Sequence, residues 1–132
     1  MENNTENKKY KYIAFISYRH TKPDFEIAEK IHQAIESFRV PKELNIDGKY
    51  NELRVFRDRE ELTTKDLSES LDEALRESEY LIIVCSKRTP LSPWCTREVR
   101  EFKKYHDDSK IIPILIEGEP YESFNEELTN LR

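Results

Sequence analysis

Glycine is nearly absent from this chain, with two residues in 132. A dinucleotide-binding GxGxxG turn or a phosphate-cradling P-loop each needs several glycines in one short segment, so both are excluded. Cysteine is equally scarce. Cys85 and Cys95 have neither CxxC nor metal-ligand spacing, and each sits in an apolar segment. Buried free thiols in a reducing compartment are expected, rather than a disulfide. The three histidines, His20, His32 and His106, fall in no metal or triad arrangement. His32 lies within a helical pattern and His106 in a polar stretch, so no role is assigned to either. No apolar run is long enough to span a bilayer. Residues 1–9 are polar, without the apolar core of a signal peptide, and are expected to be a disordered lead-in, with the cytoplasm as location. The net charge of −5 gives no long-range attraction to nucleic acid or to an anionic membrane.

What is present is a set of clustered apolar segments in a polar background, 36% hydrophobic against 37% charged. The length fits one domain. Tyr12-Ile13-Ala14-Phe15-Ile16 has the composition of a buried strand. Pro23 and Asp24 signal a loop or helix start. Ile27, Ala28, Ile31, Ala34, Ile35 and Phe38 then recur at helical spacing until Pro41. Residues 45–51, with Gly48, read as a loop. Leu53-Arg54-Val55-Phe56 is a short second strand, followed by the charged loop Arg57-Asp58-Arg59-Glu60-Glu61. Thr63 or Thr64 caps a helix with Leu67, Leu71, Ala74 and Leu75 on one face. Tyr80-Leu81-Ile82-Ile83-Val84-Cys85 is apolar throughout, as in a strand covered on both faces. Ser92-Pro93 starts a third helix, with a capping hydroxyl and then proline at the first helical position. Cys95, Val99 and Phe102 give that helix its apolar stripe. Ile111-Ile112-Pro113-Ile114-Leu115-Ile116 is a fourth strand, and Pro113 assigns it to an edge because proline donates no ladder hydrogen bond. Gly118 to Pro120 make a turn, and a last helix begins near Phe124.

Strands alternating with helices imply an α/β fold, a parallel sheet with helices on both faces. Ligands of such sheets bind beyond the carboxyl ends of the strands. The residues there are Ser17, Tyr18, Arg19 and His20 after the first strand, Arg57, Asp58 and Arg59 after the second, and Ser86 after the third. Trp94 and Glu98 lie one turn apart on the third helix and share a face. A carboxylate beside a large aromatic is partly desolvated, and such groups are functional candidates. Plainer alternatives stand beside each. Glu98 read by spacing alone is a solvated residue paired with Arg97 or Arg100. Arg57 and Arg59 read as a solvated loop, Trp94 as a packing aromatic, and Ser17 as a strand-end cap.

Four segments together resemble one family. Phe15-Ile16-Ser17-Tyr18-Arg19 is similar to the opening strand of TIR (Toll/interleukin-1 receptor) domains, and Phe56-Arg57-Asp58-Arg59 to their second strand and BB loop. Ser92-Pro93-Trp94-Cys95-Thr96-Arg97-Glu98-Val99 resembles the S-x-W-C-x-x-E-[LV] motif of the enzymatic TIR branch. With Ile112-Pro113-Ile114 and Gly118-Glu119-Pro120, the set is most similar to bacterial TIR domains and runs from about residue 10 to 120.

The resemblance implies a flavodoxin-like fold over residues 10–132. The family has five parallel strands; four are evident here, so either a domain truncated at its C-terminus or a divergent minimal version is expected, with Pro113 in the edge strand. The implied activity is cleavage of the nicotinamide–ribose bond of NAD, by hydrolysis or cyclisation, in bacterial signalling or antiphage defence. NAD is then the substrate, and neither cofactor nor metal is needed. By resemblance Glu98 is catalytic, and Ser17, Tyr18, Arg19, Arg57, Ser86 and Trp94 line the substrate pocket. Arg57, Asp58 and Arg59 serve head-to-tail self-association, and a fused or downstream effector domain is a further partner. The alternative is a non-catalytic interaction module that signals by self-association. Adaptor-type domains commonly lack the carboxylate after the W-C pair, which is intact here. A phospho-receiver domain is disfavoured, because it expects paired acidic residues where Ser17-Tyr18-Arg19-His20 stands.

Overall fold

A computed structural model describes residues 10–57 and 65–129. Its parallel sheet has the order β2-β1-β3-β4. The strands are β1 (Tyr12–Ser17), β2 (Val55–Arg57), β3 (Ser78–Cys85) and β4 (Ile111–Leu115). Helices α1 (Asp24–Ser37), α2 (Lys65–Arg76) and α3 (Pro93–Lys103) connect them in turn. Two single-turn helices follow, α4 (Pro120–Ser123) and α5 (Glu126–Thr129). This is the flavodoxin-like α/β arrangement. From β1 the chain moves outward to β2, then crosses back to β3 on the other side, so the strand order reverses between β1 and β3. A crevice opens at such a reversal, beyond the carboxyl ends of the two strands.

Strand parity sorts the core into two layers. Phe15, Leu81, Ile83 and Cys85 point to one face and pack with Leu71 and Leu75 of α2 and with Cys95, Val99 and Phe102 of α3. Ala14, Ile16, Ile82 and Val84 point to the other face and pack with Ala28, Ile27 and Ile31 of α1. Val55, Ile82 and Val84 carry little polar surface to either side, which suits strands covered on both faces. β4 is an edge strand, and Pro113 opposite Ile83 satisfies the proline constraint there.

Several boundaries differ from the sequence expectation, each for a local reason. β2 begins at Val55, where its pairing with Ala14 of β1 starts, and Ile13 N–H donates to Arg54 O at 2.7 Å just before it. Arg57 is therefore not a loop residue: it ends β2, opposite Ile16. α1 stops at Ser37, before Val40, the residue that Pro41 displaces from helical geometry. Phe38, past that end, is exposed, and Ala34 lies on the exposed face of α1. β3 begins two residues earlier than expected, at Ser78. The helix expected from Phe124 begins two residues later, as α5, and a separate turn, α4, precedes it. Phe124 is extended, and Asn125 Oδ1 accepts from Leu128 N at 3.0 Å to start a new turn. Gly118 does turn the chain, at φ +76°. The expectations for residues 1–9 and for Asp58, Arg59, Glu60, Glu61, Thr63, Thr64 and Leu131 lie outside the described residues.

His106 is structural, contrary to its reading as a bystander in a polar stretch. Its Nδ1 lies 3.0 Å from Phe102 O and its Nε2 2.7 Å from Ser78 O. The ring stacks on Phe102 at 3.8 Å between centroids and fastens the end of α3 to the start of β3.

Candidate functional site at the strand reversal

Ser17 ends β1 on the face that meets α3. Ser92 Oγ accepts from Cys95 N at 3.2 Å and starts α3 at the residue expected, with Pro93 in its first turn. That start places Glu98 in the second turn, against the end of β1. Ser17 Oγ–H donates to Glu98 Oε1 at 2.6 Å, and Glu98 is 1% exposed. The solvated alternative for Glu98 is thereby overturned. Arg97 instead pairs with Asp72 at 3.0 Å, and Arg100 Nε with Glu127 at 3.1 Å. Trp94, one turn before Glu98, is half-buried against the same core layer, and the Arg97 guanidinium lies 5.4 Å from its ring centroid.

The neighbouring thiols are not nucleophiles. Burial pushes Cys85 up to about 12. Burial also pushes Cys95 up to about 12, with the Glu98 charge adding to the effect. A thiol in that range is protonated at neutral pH, and the thiolate is the reactive form.

Ser86, just after β3, points the other way. Its hydroxyl donates to Asp24 Oδ2 at 2.9 Å, and Asp24 is 1% exposed. Asp24 was legible in sequence only as a helix-start signal. The signal that could have found it is its place between two half-apolar elements at the same sheet end. Burial raises the Asp24 carboxyl above its ordinary value, opposed by the Ser86 hydrogen bond and the Arg19 charge. Ser86 N–H donates to Thr89 Oγ1 at 2.8 Å, and Thr89 is buried, so the turn after β3 is held rigidly. Arg19 is half-buried at the same end, with Nη1 donating to Thr21 Oγ1 at 3.1 Å.

The expected single constellation is therefore divided. Ser17 and Glu98 meet on the α3 face, with Trp94 one turn away. Tyr18, the next residue, points to the α1 face, where it meets Arg57 with the guanidinium carbon 5.9 Å from the ring centroid. Arg57 Nε donates to His32 Nδ1 at 3.2 Å, so His32 is not the bystander its helical position implied. His20 packs its ring on Tyr18 at 4.6 Å between centroids. Ser86 and Arg19 stand between these two groups, with Asp24. A groove of about 550 Å³ borders Tyr18 and Arg57, and a smaller cavity of about 120 Å³ lies at the opposite end of the sheet beside Tyr12 and Glu79. Glu98 lines neither. Among the described residues no group of His, Cys, Asp and Glu is arranged to hold a metal ion, and no helix is long and apolar enough to cross a membrane.

The family model for TIR domains matches residues 14–131. The chain belongs to the TIR domain family. This TIR domain is similar to "NAD(+) hydrolase ApTIR" of Actinoplanes sp. (strain ATCC 31044 / CBS 674.73 / SE50/110), at 28% identity over 110 residues. The match covers 83% of this chain and 14% of that protein, so the TIR domain spans about a seventh of its relative's length. Among solved structures it matches the TIR domains of the activated Roq1 resistosome directly recognizing the pathogen effector XopQ. The TM-score is 0.53 at 23% identity, over 80% of this chain and 57% of that one. That likeness concerns the fold.

Proposed function

We propose that this TIR domain cleaves the nicotinamide–ribose bond of NAD, with Glu98 as its catalytic carboxylate. The observation that carries the reading is the Ser17–Glu98 hydrogen bond at the β1/β3 reversal, where this fold class places ligands. The motif around Trp94, Cys95 and Glu98 and the name of the Actinoplanes relative support it.

The chemistry suits a single carboxylate. The C1′–N bond breaks, its electron pair goes to the pyridinium nitrogen, and nicotinamide leaves neutral without a general acid. The ribose carbon becomes oxocarbenium-like, as in glycoside hydrolysis. A fixed carboxylate stabilises that charge without reorganising at the moment of reaction. Ser17 holds the carboxylate in place, Trp94 flanks the ribose or nicotinamide, and Arg19 is the nearest candidate for the phosphates. Ser86 acts through Asp24, as a positioning residue. Water captures the cation to give ADP-ribose and a proton; capture by the adenine of the same molecule gives a cyclic product instead. NAD enters as substrate, and the scheme calls for neither metal nor cofactor.

Glu98 is buried in the single chain, so the reaction needs a rearrangement that uncovers it. Head-to-tail self-association is the arrangement we propose, with Asp58 and Arg59 reaching a neighbouring copy. A fused or downstream effector domain would supply the trigger. The bacterial relative supports a setting in bacterial signalling or antiphage defence, and two buried free cysteines suit the reducing cytoplasm. The same burial favours one second reading, a non-catalytic module that signals by self-association.

Incubation with NAD over a range of protein concentrations, with products separated by chromatography, distinguishes the two. Nicotinamide release by the wild type and none by Glu98→Gln is expected. No release at any concentration, with light scattering showing assembly, would leave the scaffold reading. The second product identifies hydrolysis or cyclisation.

A further inference from the structure

Arg57 is a half-buried arginine that forms no ion pair with a carboxylate among the described residues. Its Nε donates to His32 Nδ1, and its guanidinium lies over Tyr18. An arginine never gives up its proton in a protein, so His32 Nδ1 is the acceptor in that bond. The imidazole is then free to carry its hydrogen on Nε2, 3.2 Å from Glu36 Oε2. The same Glu36 oxygen accepts from Val55 N at 2.8 Å. Glu36 is therefore spent on β2 and His32, and it reaches Arg57 only through a neutral ring. The relay fixes the Arg57 stem, and the two Nη groups, the ones that grip a carboxylate in bidentate fashion, meet no carboxylate among the described residues.

This arginine borders the groove between α1 and β2. Its volume of about 550 Å³ falls in the range of small-molecule sites, about 300–1,000 Å³. Phe25 supplies a flat apolar wall, the buried Tyr18 ring closes the floor beside Arg57, and Gln33 and Ser37 supply polar contacts. Tyr18 is buried and rigid, while Phe25 is 38% exposed and faces the opening. Glu29 and Glu36 lie on the α1 wall. Two carboxylates beside one guanidinium disfavour a multiply charged anion such as a phosphate monoester, while one charge placed on Arg57 is accommodated.

We propose that the groove between α1 and β2 is a second small-molecule site, which takes a flat organic monoanion of the aromatic carboxylate class anchored on Arg57. The site is separate from the Ser17–Glu98 pair. Tyr18 and Ser17 are consecutive on β1, and their side chains leave opposite faces of the sheet. The ligand's ring lies against Phe25, and its carboxylate takes the two Nη donors. The inference does not rest on NAD cleavage and holds for a scaffold as well as for an enzyme.

Benzoate, benzamide and benzylammonium share a ring and differ in charge. Each is titrated into the full chain at low salt while amide and arginine Nε–H resonances are followed by NMR. Benzoate is expected to shift Tyr18, Phe25, Val55 and Arg57, with benzamide binding at least about tenfold more weakly. Arg57→Gln is expected to weaken benzoate by about tenfold or more and to leave benzamide unchanged. Should Arg57→Gln fail to fold, Phe25→Ser, at an exposed position, is expected to weaken benzoate and benzamide alike. The proposal is overturned if benzoate shifts no groove resonance, if its shifts gather at Ser17 and Glu98, or if benzamide or benzylammonium binds the groove as tightly as benzoate.

Discussion

Ser86 Oγ donates to Asp24 Oδ2 at 2.9 Å across the carboxyl end of the sheet, joining the exit of β3 to the first turn of α1. Asp24 is 1% exposed, and burial raises its carboxyl above the ordinary value. The folded chain therefore binds a proton there more readily than the unfolded chain does. Stability falls as pH rises through the window between the unfolded value, 3.8, and the higher folded one, and the cost persists at neutral pH. Asp24→Asn retains an acceptor for Ser86 and removes the charge. We expect it to melt higher than wild type at pH 7, with the gain vanishing below pH 3.8. Thermal unfolding followed by circular dichroism at several pH values checks this, and a gain independent of pH would refute it.

Ser17→Ala removes the hydroxyl that donates to the buried Glu98 Oε1 and leaves a small volume in its place. Loss of a hydrogen bond to a buried carboxyl costs about 1–3 kcal/mol, and urea denaturation should read that amount. If Glu98 is catalytic, the nicotinamide release rate falls with little change in KM. A lower rate accompanied by an equally raised KM would assign Ser17 to substrate binding instead.

Glu98→Gln preserves volume and an oxygen that accepts from Ser17. Its unfolding midpoint should stay close to wild type, while Glu98→Ala opens a cavity among Cys95, Val99 and Phe102 and should be clearly less stable. Comparison of both variants separates loss of reaction from loss of structure. A Glu98→Gln protein that unfolds as readily as Glu98→Ala would mean that the charge itself holds the fold.

Cys85 and Cys95 are fully buried and pushed up to about 12. A chromogenic disulfide reagent at pH 8 should label neither in the native protein within minutes and both after denaturation. Rapid native labelling of either thiol would show that the α2–α3 layer opens.

His106→Phe retains the stack on Phe102 and deletes both contacts to the carbonyls of Phe102 and Ser78. Phe102 O keeps the Tyr105 N–H, so the loss falls mainly on Ser78 O and should cost about 1–3 kcal/mol in urea denaturation. A variant as stable as the wild type would assign the stabilisation to stacking alone.

The layers were legible because their signals are periodic. Leu71, Ala74 and Leu75 repeat at helical spacing, Ser92 and Pro93 punctuate α3, and Pro113 forces an edge. Those features are local, and the structure agrees with them. The ends of a strand depend on partners far away in sequence, which is why β2 is displaced from its expected bounds: its register is set by pairing with β1. Glu98 was found by a motif, but its burial was not legible, because Arg97 and Arg100 find Asp72 and Glu127 only in three dimensions. Asp24 was passed over for the same reason, since nothing near residue 24 announces Ser86. The expected cluster at the strand ends was drawn as one pocket because sequence order does not show which side of the sheet each residue leaves.

The alternation of Ser17 and Tyr18 sets a limit on how the two sides can communicate. One carries a hydroxyl to Glu98, the other a phenol to Arg57, and only the backbone of β1 lies between them. A single peptide unit joins the residue that faces Glu98 to the residue that faces Arg57. Deleting one residue of β1 before Ser17 would turn each side chain to the other face and bring a phenol against the carboxylate. The parity of one six-residue strand keeps two chemically different chambers back to back.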